Sequence, residues 1–263
     1  MPQNLARAVA KSAATGTLTP MQVLADPVLL TFTSICFLFH VANSAVLPLV
    51  MQTLAIGNGR EGILLSGLCI VVSQLTMVLA AGTCGRYSAQ YGRKVLFLVG
   101  LGTLSVRCAL ILVLLSWRAL YPSRLVEGAL LATQVLDGVG AGVFGTMYIL
   151  VTSDLARGSG RFSLALGVTS AAMSIGGTVS GYLGEYLAQD FGYERAFATL
   201  GLISAVPAVL YLVLMPETLP GYGTSQKKTQ LGSGAAAMES IVEVSDIEDD
   251  CCPESDKVYT QIS

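Results

Sequence analysis

Three ionisable side chains stand inside runs that are otherwise apolar for tens of residues: His40, Arg107 and Asp137. Each lies twelve residues into its run, roughly 18 Å along a helix and close to the middle of a bilayer. Charged groups are costly in hydrocarbon, so those that persist face a bundle interior or a cavity and mark a path for protons, ions or polar solutes. Arg107 and Asp137 fall on runs adjacent in sequence. Paired, they would keep the aspartate ionised and hold two helices in register, and register alone is the competing reading of such a pair. His40 and Asn43 share one helix face, as do Gln134 and Asp137. His40, Asn43, Arg107, Gln134 and Asp137 are therefore the candidates for holding a solute or a proton. For His40, a hydrogen-bonded interior histidine competes with a proton carrier.

The elements that must position these residues follow from composition. Of 263 residues, 53% are hydrophobic and only 12% charged, and the mean hydropathy is +0.66. Soluble domains carry about 25% charged residues, so a soluble enzyme is excluded. Six apolar runs follow one another: 28–50, 62–83, 95–117, 125–151, 162–187 and 196–215. Each is long enough to cross a hydrocarbon core of about 30 Å. Continuous apolarity of that length means helices, because backbone in lipid must satisfy its own hydrogen bonds. The fold class is all-α integral membrane, a six-helix transmembrane bundle, with short loops expected to make consecutive helices antiparallel neighbours.

The net charge of -2 hides two unlike parts. Residues 217–263 hold nine acids and three bases, whereas residues 1–216 hold eight acids and twelve bases. Three units result: a polar cytoplasmic segment 1–26, the bundle 27–216, and an acidic cytoplasmic tail 217–263 too poor in large apolar groups to fold. With six spans both termini share a side. That side carries ten basic residues against four opposite, which places both termini in the cytoplasm of a membrane whose identity the sequence leaves open.

Other patterns are structural. Gly138/Gly142 and Gly177/Gly181 are four apart within spans, the spacing that lets membrane helices approach closely. The string Gly140-Ala-Gly142-Val-Phe-Gly145 has dinucleotide-binding spacing, but it has neither the preceding strand nor the acid about 20 residues on. The six cysteines show no metal-binding spacing. No metal, cofactor or nucleic-acid partner is expected, and no catalytic constellation is present.

One loop carries more information. Gly85-Arg-Tyr-Ser-Ala-Gln-Tyr-Gly92-Arg93-Lys94 resembles the G-x-L-x-D-R-x-G-R-K signature of the major facilitator superfamily. The glycines and the Gly-Arg-Lys turn match, while Ala89 and Gln90 replace the aspartate and first arginine, as in the decayed second copy of that motif. Phe39-His40-Val-Ala-Asn43-Ser-Ala-Val-Leu47-Pro48 resembles the seventh helix of a drug-efflux-like subgroup, and Gln134-Val-Leu-Asp137-Gly-Val-Gly-Ala-Gly142 its tenth. Phe191-Gly192-Tyr193-Glu-Arg195-Ala-Phe197 and Met215-Pro-Glu-Thr218 resemble the entry and exit of its twelfth. The resemblance covers about residues 25–218, in the order of a C-terminal six-helix half.

That resemblance implies alternating-access transport of a small organic solute, with proton coupling an option and the solute bound between two six-helix halves. It implies that Gly85, Gly92, Arg93 and Lys94 form a loop that biases the access equilibrium, with Arg93 and Lys94 reaching helix C-terminal carbonyls. Half a site needs completion. A shortened gene product is the favoured account, since the polar stretch after Met1 is similar to the family's central linker. A homodimer or a separate half would also serve. The alternative function is a non-transporting membrane adaptor acting through its tail, where Tyr259 and Ile262 match a Tyr-x-x-bulky sorting signal read by sorting adaptors.

Overall fold

The computed structural model describes residues 21, 25–56, 59–120, 124–156 and 161–219. Its helices are α1 (Pro27–Asn43), α2 (Val46–Ala55), α3 (Gly59–Tyr91), α4 (Arg93–Leu120), α5 (Arg124–Leu155), α6 (Phe162–Phe191) and α7 (Tyr193–Leu214). Counting α1 and α2 as one broken span, six helices are long and apolar enough to cross a membrane. No strand occurs among the described residues.

α1 begins at Asp26, whose carboxylate accepts from the backbone N–H groups of Val28 at 2.8 Å and Leu29 at 3.4 Å. Pro27, at the first helical position, has no N–H to satisfy there. The first span is then interrupted at Ser44 and Ala45, where one continuous helix over 28–50 is the sequence expectation. Pro48 explains the break: it offers no N–H to the Ser44 carbonyl, and its ring crowds that oxygen. At the same break the Ala45 N–H, whose ladder acceptor would be the Val41 carbonyl, donates to Ser180 Oγ of α6 at 2.9 Å.

Two connections are shorter than expected. The segments 85–91 and 189–191, read as loops from sequence, are helical, and single glycines join α3 to α4 and α6 to α7. Gly92 and Gly192 take φ of 84° and 88°, where a Cβ would be strained. Consecutive helices also prove to be poor predictors of packing. α3 packs chiefly on α5, and α1 on α6, while α4 contacts α5 and α7. The contact of α1 with α6 matches that of α5 with α3 once the first three spans are laid on the last three. Gly92 and Gly192 are equivalent in the same scheme. The bundle is thus an inverted pair of three-span units.

Glycines decide which faces meet. A Cβ on Gly138 would run into the Ser73 carbonyl and Thr76 Cβ, and one on Gly142 into the Met77 carbonyl and Ala80 Cβ. Without them the α5 and α3 backbones come together. On α6 the contact face corrects the sequence reading. Gly176, Ser180 and Gly184 are buried against α1 and its continuation, with a Cβ on Gly176 meeting the Phe37 carbonyl and one on Gly184 meeting Ala45. Gly177 only approaches Ser44 Oγ, and Gly181 faces open space. Each pair of positions has small residues four apart, and the face used is one residue, or 100° of helix, away from the expected one.

Inside, an aromatic column fills the centre. Phe39 stacks on Phe144 at 4.3 Å between ring centres and Phe97 on Tyr211 at 4.5 Å. Lipid tails are as apolar as these rings, so close packing rather than water exclusion holds the column together. The Tyr148 hydroxyl lies 2.7 Å from Thr169 Oγ1 and 2.9 Å from Ser170 Oγ, pinning α5 to α6.

Candidate functional site

Mid-bundle, three spans converge on one guanidinium. Arg107 of α4 is 1% exposed. Its Nη1 donates to Asp137 Oδ1 of α5, and its Nη2 to Gln134 Oε1 at 2.7 Å. Asp137 Oδ2 accepts from Ser73 Oγ of α3 at 2.6 Å. Gln134 and Asp137 are three apart, so one turn of α5 presents an amide oxygen and a carboxylate to the two nitrogens. One acceptor is a charged carboxylate and the other a neutral amide oxygen, and their placement on the two nitrogens of a planar fork suits arginine and not lysine. The Nε–H remains without a partner. Beside the cluster lies a pocket of about 10 Å³ lined by Phe39, Asn43, Thr103, Arg107, Asp137 and Gly140, space for at most one water.

The structure therefore brings Arg107, Gln134 and Asp137 into direct contact and sets Asn43 on the wall of the same pocket. His40 stands apart. Its Nδ1 lies 3.0 Å from the Cys36 carbonyl, so Nδ1 carries the proton and donates. Its ring meets Phe39 and Phe144 edge-on at 5.6 and 5.4 Å. Ser73 is the member that the sequence does not announce: a serine inside an apolar run has no signature until its partner is known.

A second cluster closes the end of the bundle where α3 turns into α4. Arg93 Nε donates to Asp154 Oδ2 at 2.9 Å, with side chains only 11% and 4% exposed. Arg93 Nη1 donates to Ser88 Oγ at 3.2 Å, which in turn donates to the Gly85 carbonyl at 3.0 Å. Glu217, beyond α7, accepts from the backbone N–H groups of Arg93 and Lys94 at 2.9 and 3.1 Å. The expected reach of Arg93 to helix-end carbonyls is thus corrected: it pairs with a carboxylate at the end of α5. Gly85 sits within α3 rather than in a loop. Asp154 and Glu217 supply acids where Ala89 replaces the motif aspartate. Tyr259 and Ile262 lie outside the described residues.

The model of the Major Facilitator Superfamily matches residues 28–245. The chain belongs to the major facilitator superfamily. An uncharacterised MFS-type transporter of Mycobacterium tuberculosis is 37% identical over 194 residues, covering 74% of this chain and 44% of the relative. A multidrug transporter of the superfamily from Aspergillus fumigatus is 25% identical, covering 72% of this chain and 34% of its own length. A multidrug resistance efflux pump homologue of Lactococcus lactis is 26% identical over 69% of this chain and 42% of that one. Among solved structures, a peptide transporter crystallised with alafosfalin superposes with a TM-score of 0.58 at 13% identity, over 81% of this chain and 45% of that one. That likeness concerns the fold. This superfamily member is a multi-pass membrane protein, and it spans less than half the length of these curated relatives.

Proposed function

We propose that this superfamily member forms one six-helix half of a unit that moves a small organic solute across a membrane by alternating access, with proton coupling through Asp137. The observation that carries the reading is the cluster of Arg107, Asp137, Gln134 and Ser73. It ties three spans at mid-bundle and leaves one guanidinium N–H facing no acceptor. Protonating Asp137 would release Arg107 from its anion, and a bundle held by that pair would then repack. A second six-helix bundle, either another copy or a separate half, completes the site in this reading. The excess of basic residues at the Arg93 end supports placing that end in the cytoplasm.

The test is flux of a candidate solute into proteoliposomes under an imposed pH gradient. Gradient-dependent flux that disappears in Asp137→Asn, with the variant still folded, is the expected outcome. Flux by the chain alone identifies a second copy as the other half, and flux restored only by a separate bundle identifies that bundle. Gradient-driven flux that Asp137→Asn leaves intact would sink the assignment.

A further inference from the structure

We propose that the cavity at the Gly192 end of the bundle, lined by Arg118 and Arg195, binds the phosphate headgroup of an anionic phospholipid. Along α4, Arg118 lies about 16 Å beyond Arg107, so the site is separate from the mid-bundle cluster and does not rest on the transport reading.

Position sets the depth. Arg93 and Arg118 bound a 26-residue stretch of α4, about 38 Å long against a hydrocarbon core of about 30 Å. With Arg93 at one face of the bilayer, Arg118 stands at headgroup level at the other. Basic residues are scarce there: the six-span order assigns Arg60, Arg118, Arg124 and Arg195 to that side. Arg124 is paired with Glu61. Arg118 and Arg195 come from different helices, α4 and α7, and line one cavity of about 450 Å³, a volume that suits a small headgroup. Neither pairs with a carboxylate among the described residues. Arg118 donates through Nη1 to the Thr53 carbonyl in the last turn of α2 at 2.6 Å, which anchors the guanidinium and leaves four N–H groups over. Glu194 is the one acid among the described lining residues. One positive charge is therefore in excess, the complement of a phosphodiester monoanion.

The surroundings specify the rest of the ligand. Ile56, Leu115 and Phe191 belong to the same wall, and Leu115 lies one turn deeper in the bilayer than Arg118. A bare phosphate ion would leave these apolar groups uncovered, whereas a lipid covers them with its glycerol and first methylenes. The planar forks of two arginines match phosphate oxygens as lysines would not. The start of α7 adds to the attraction, since Gly192 at its cap has no side chain to satisfy the first N–H groups. A headgroup with its own ammonium, as in phosphatidylcholine, would bring like charge towards the guanidiniums. The site is therefore matched to a phosphodiester without a cation, as in phosphatidylglycerol. The competing reading is a pair of interfacial arginines that extend to water, Arg118 bracing α2 through Thr53, with no preference among lipids.

The chain carries its own reporter, because its one tryptophan is Trp117, exposed beside Arg118. The experiment measures quenching of Trp117 fluorescence by bromine-labelled lipid, with the full chain reconstituted in mixtures of phosphatidylcholine and phosphatidylglycerol. Brominated phosphatidylglycerol should compete at least about threefold better than brominated phosphatidylcholine, an interfacial arginine near anionic lipid being worth about fivefold. Arg118→Gln/Arg195→Gln should bring the two lipids to parity. Arg195→Gln alone changes an exposed residue and should remove part of the preference, so it stays informative if the double variant fails to fold. Arg60→Gln, at the same end but outside the cavity, should leave the preference intact. Excess soluble glycerol phosphate should not relieve the quenching. Equal quenching by both lipids, a preference untouched by Arg195→Gln or surviving the folded double variant, or an equal loss in Arg60→Gln each overturns the proposal. Full relief by glycerol phosphate overturns the lipid as the source of the phosphate.

Discussion

The carboxylate of Glu217 lies across the start of the helix that Arg93 opens, 124 residues earlier in the chain, and accepts from two consecutive backbone N–H groups there. An anion at a helix N-terminus satisfies donors that the helix itself leaves over and complements its dipole. The chain leaving α7 is thereby strapped to the turn between α3 and α4, beside the Arg93–Asp154 pair.

Glu217→Ala should therefore lower stability by about 0.5–2 kcal/mol, read as a shift of thermal unfolding in detergent. Glu217→Gln keeps an acceptor but loses the charge, and should fall between the two. No shift in either variant would remove the strap from the account.

Breaking the Arg93–Asp154 pair from one side should cost more than breaking it from both. Single substitution leaves a largely buried charge without its partner, worth about 3–5 kcal/mol. A double-mutant cycle with Arg93→Met and Asp154→Leu should give a coupling energy of at least about 1 kcal/mol. Additive losses would show that the pair contributes little.

The same logic applies at mid-bundle. Asp137→Asn leaves Arg107, already lacking an acceptor at Nε, with its main anion gone, and should destabilise by about 3–5 kcal/mol. Arg107→Met/Asp137→Leu should recover much of that loss, as seen in denaturant titration, while abolishing gradient-driven flux. Recovery of both stability and flux would mean that the cluster sets register and nothing else.

Glycine substitutions separate faces that look alike in sequence. Gly142→Leu should weaken the bundle severely, because its side chain has to displace the α3 backbone at Met77. Gly181→Ala meets open space and should be neutral, or stabilising by up to about 1 kcal/mol through helix propensity. Comparable losses for the two would contradict the packing described.

Ser180→Ala removes the acceptor for the Ala45 N–H. The buried donor left behind should cost about 1–3 kcal/mol. Ser180→Thr, which keeps the hydroxyl, should cost less if the extra methyl fits.

Much of this architecture is legible in the amino-acid sequence. Runs of apolar residues longer than a bilayer core mark the six spans, and a charge twelve residues inside such a run marks a buried partner, as Arg107 and Asp137 do. What escapes is whatever depends on rotation about a helix axis or on distant sequence. Gly176/Ser180 and Gly177/Gly181 differ by one residue and satisfy the same spacing rule, so only the contacts with Phe37 and Ala45 distinguish them. Asp154 and Glu217 meet Arg93 from 61 and 124 positions away, with nothing local to announce them. Glu185 sits near the end of its apolar run, and its hydrogen bond to Gln52, 133 positions away, emerges only when α2 is placed beside α6. Pro48 is plain to see in the first run, but the exchange of a ladder bond for Ser180 is not.

The one-residue joints at Gly92 and Gly192 carry a mechanical consequence. A connector that short has almost no slack, so α3 with α4, and α6 with α7, are coupled like the tines of a stiff fork. Tilting one tine drags the other. The first span is different, because at Ser44 and Ala45 it has already exchanged continuity for a side-chain bond to α6. That break is a natural place for the span to bend, and a load on the forks can be relieved there.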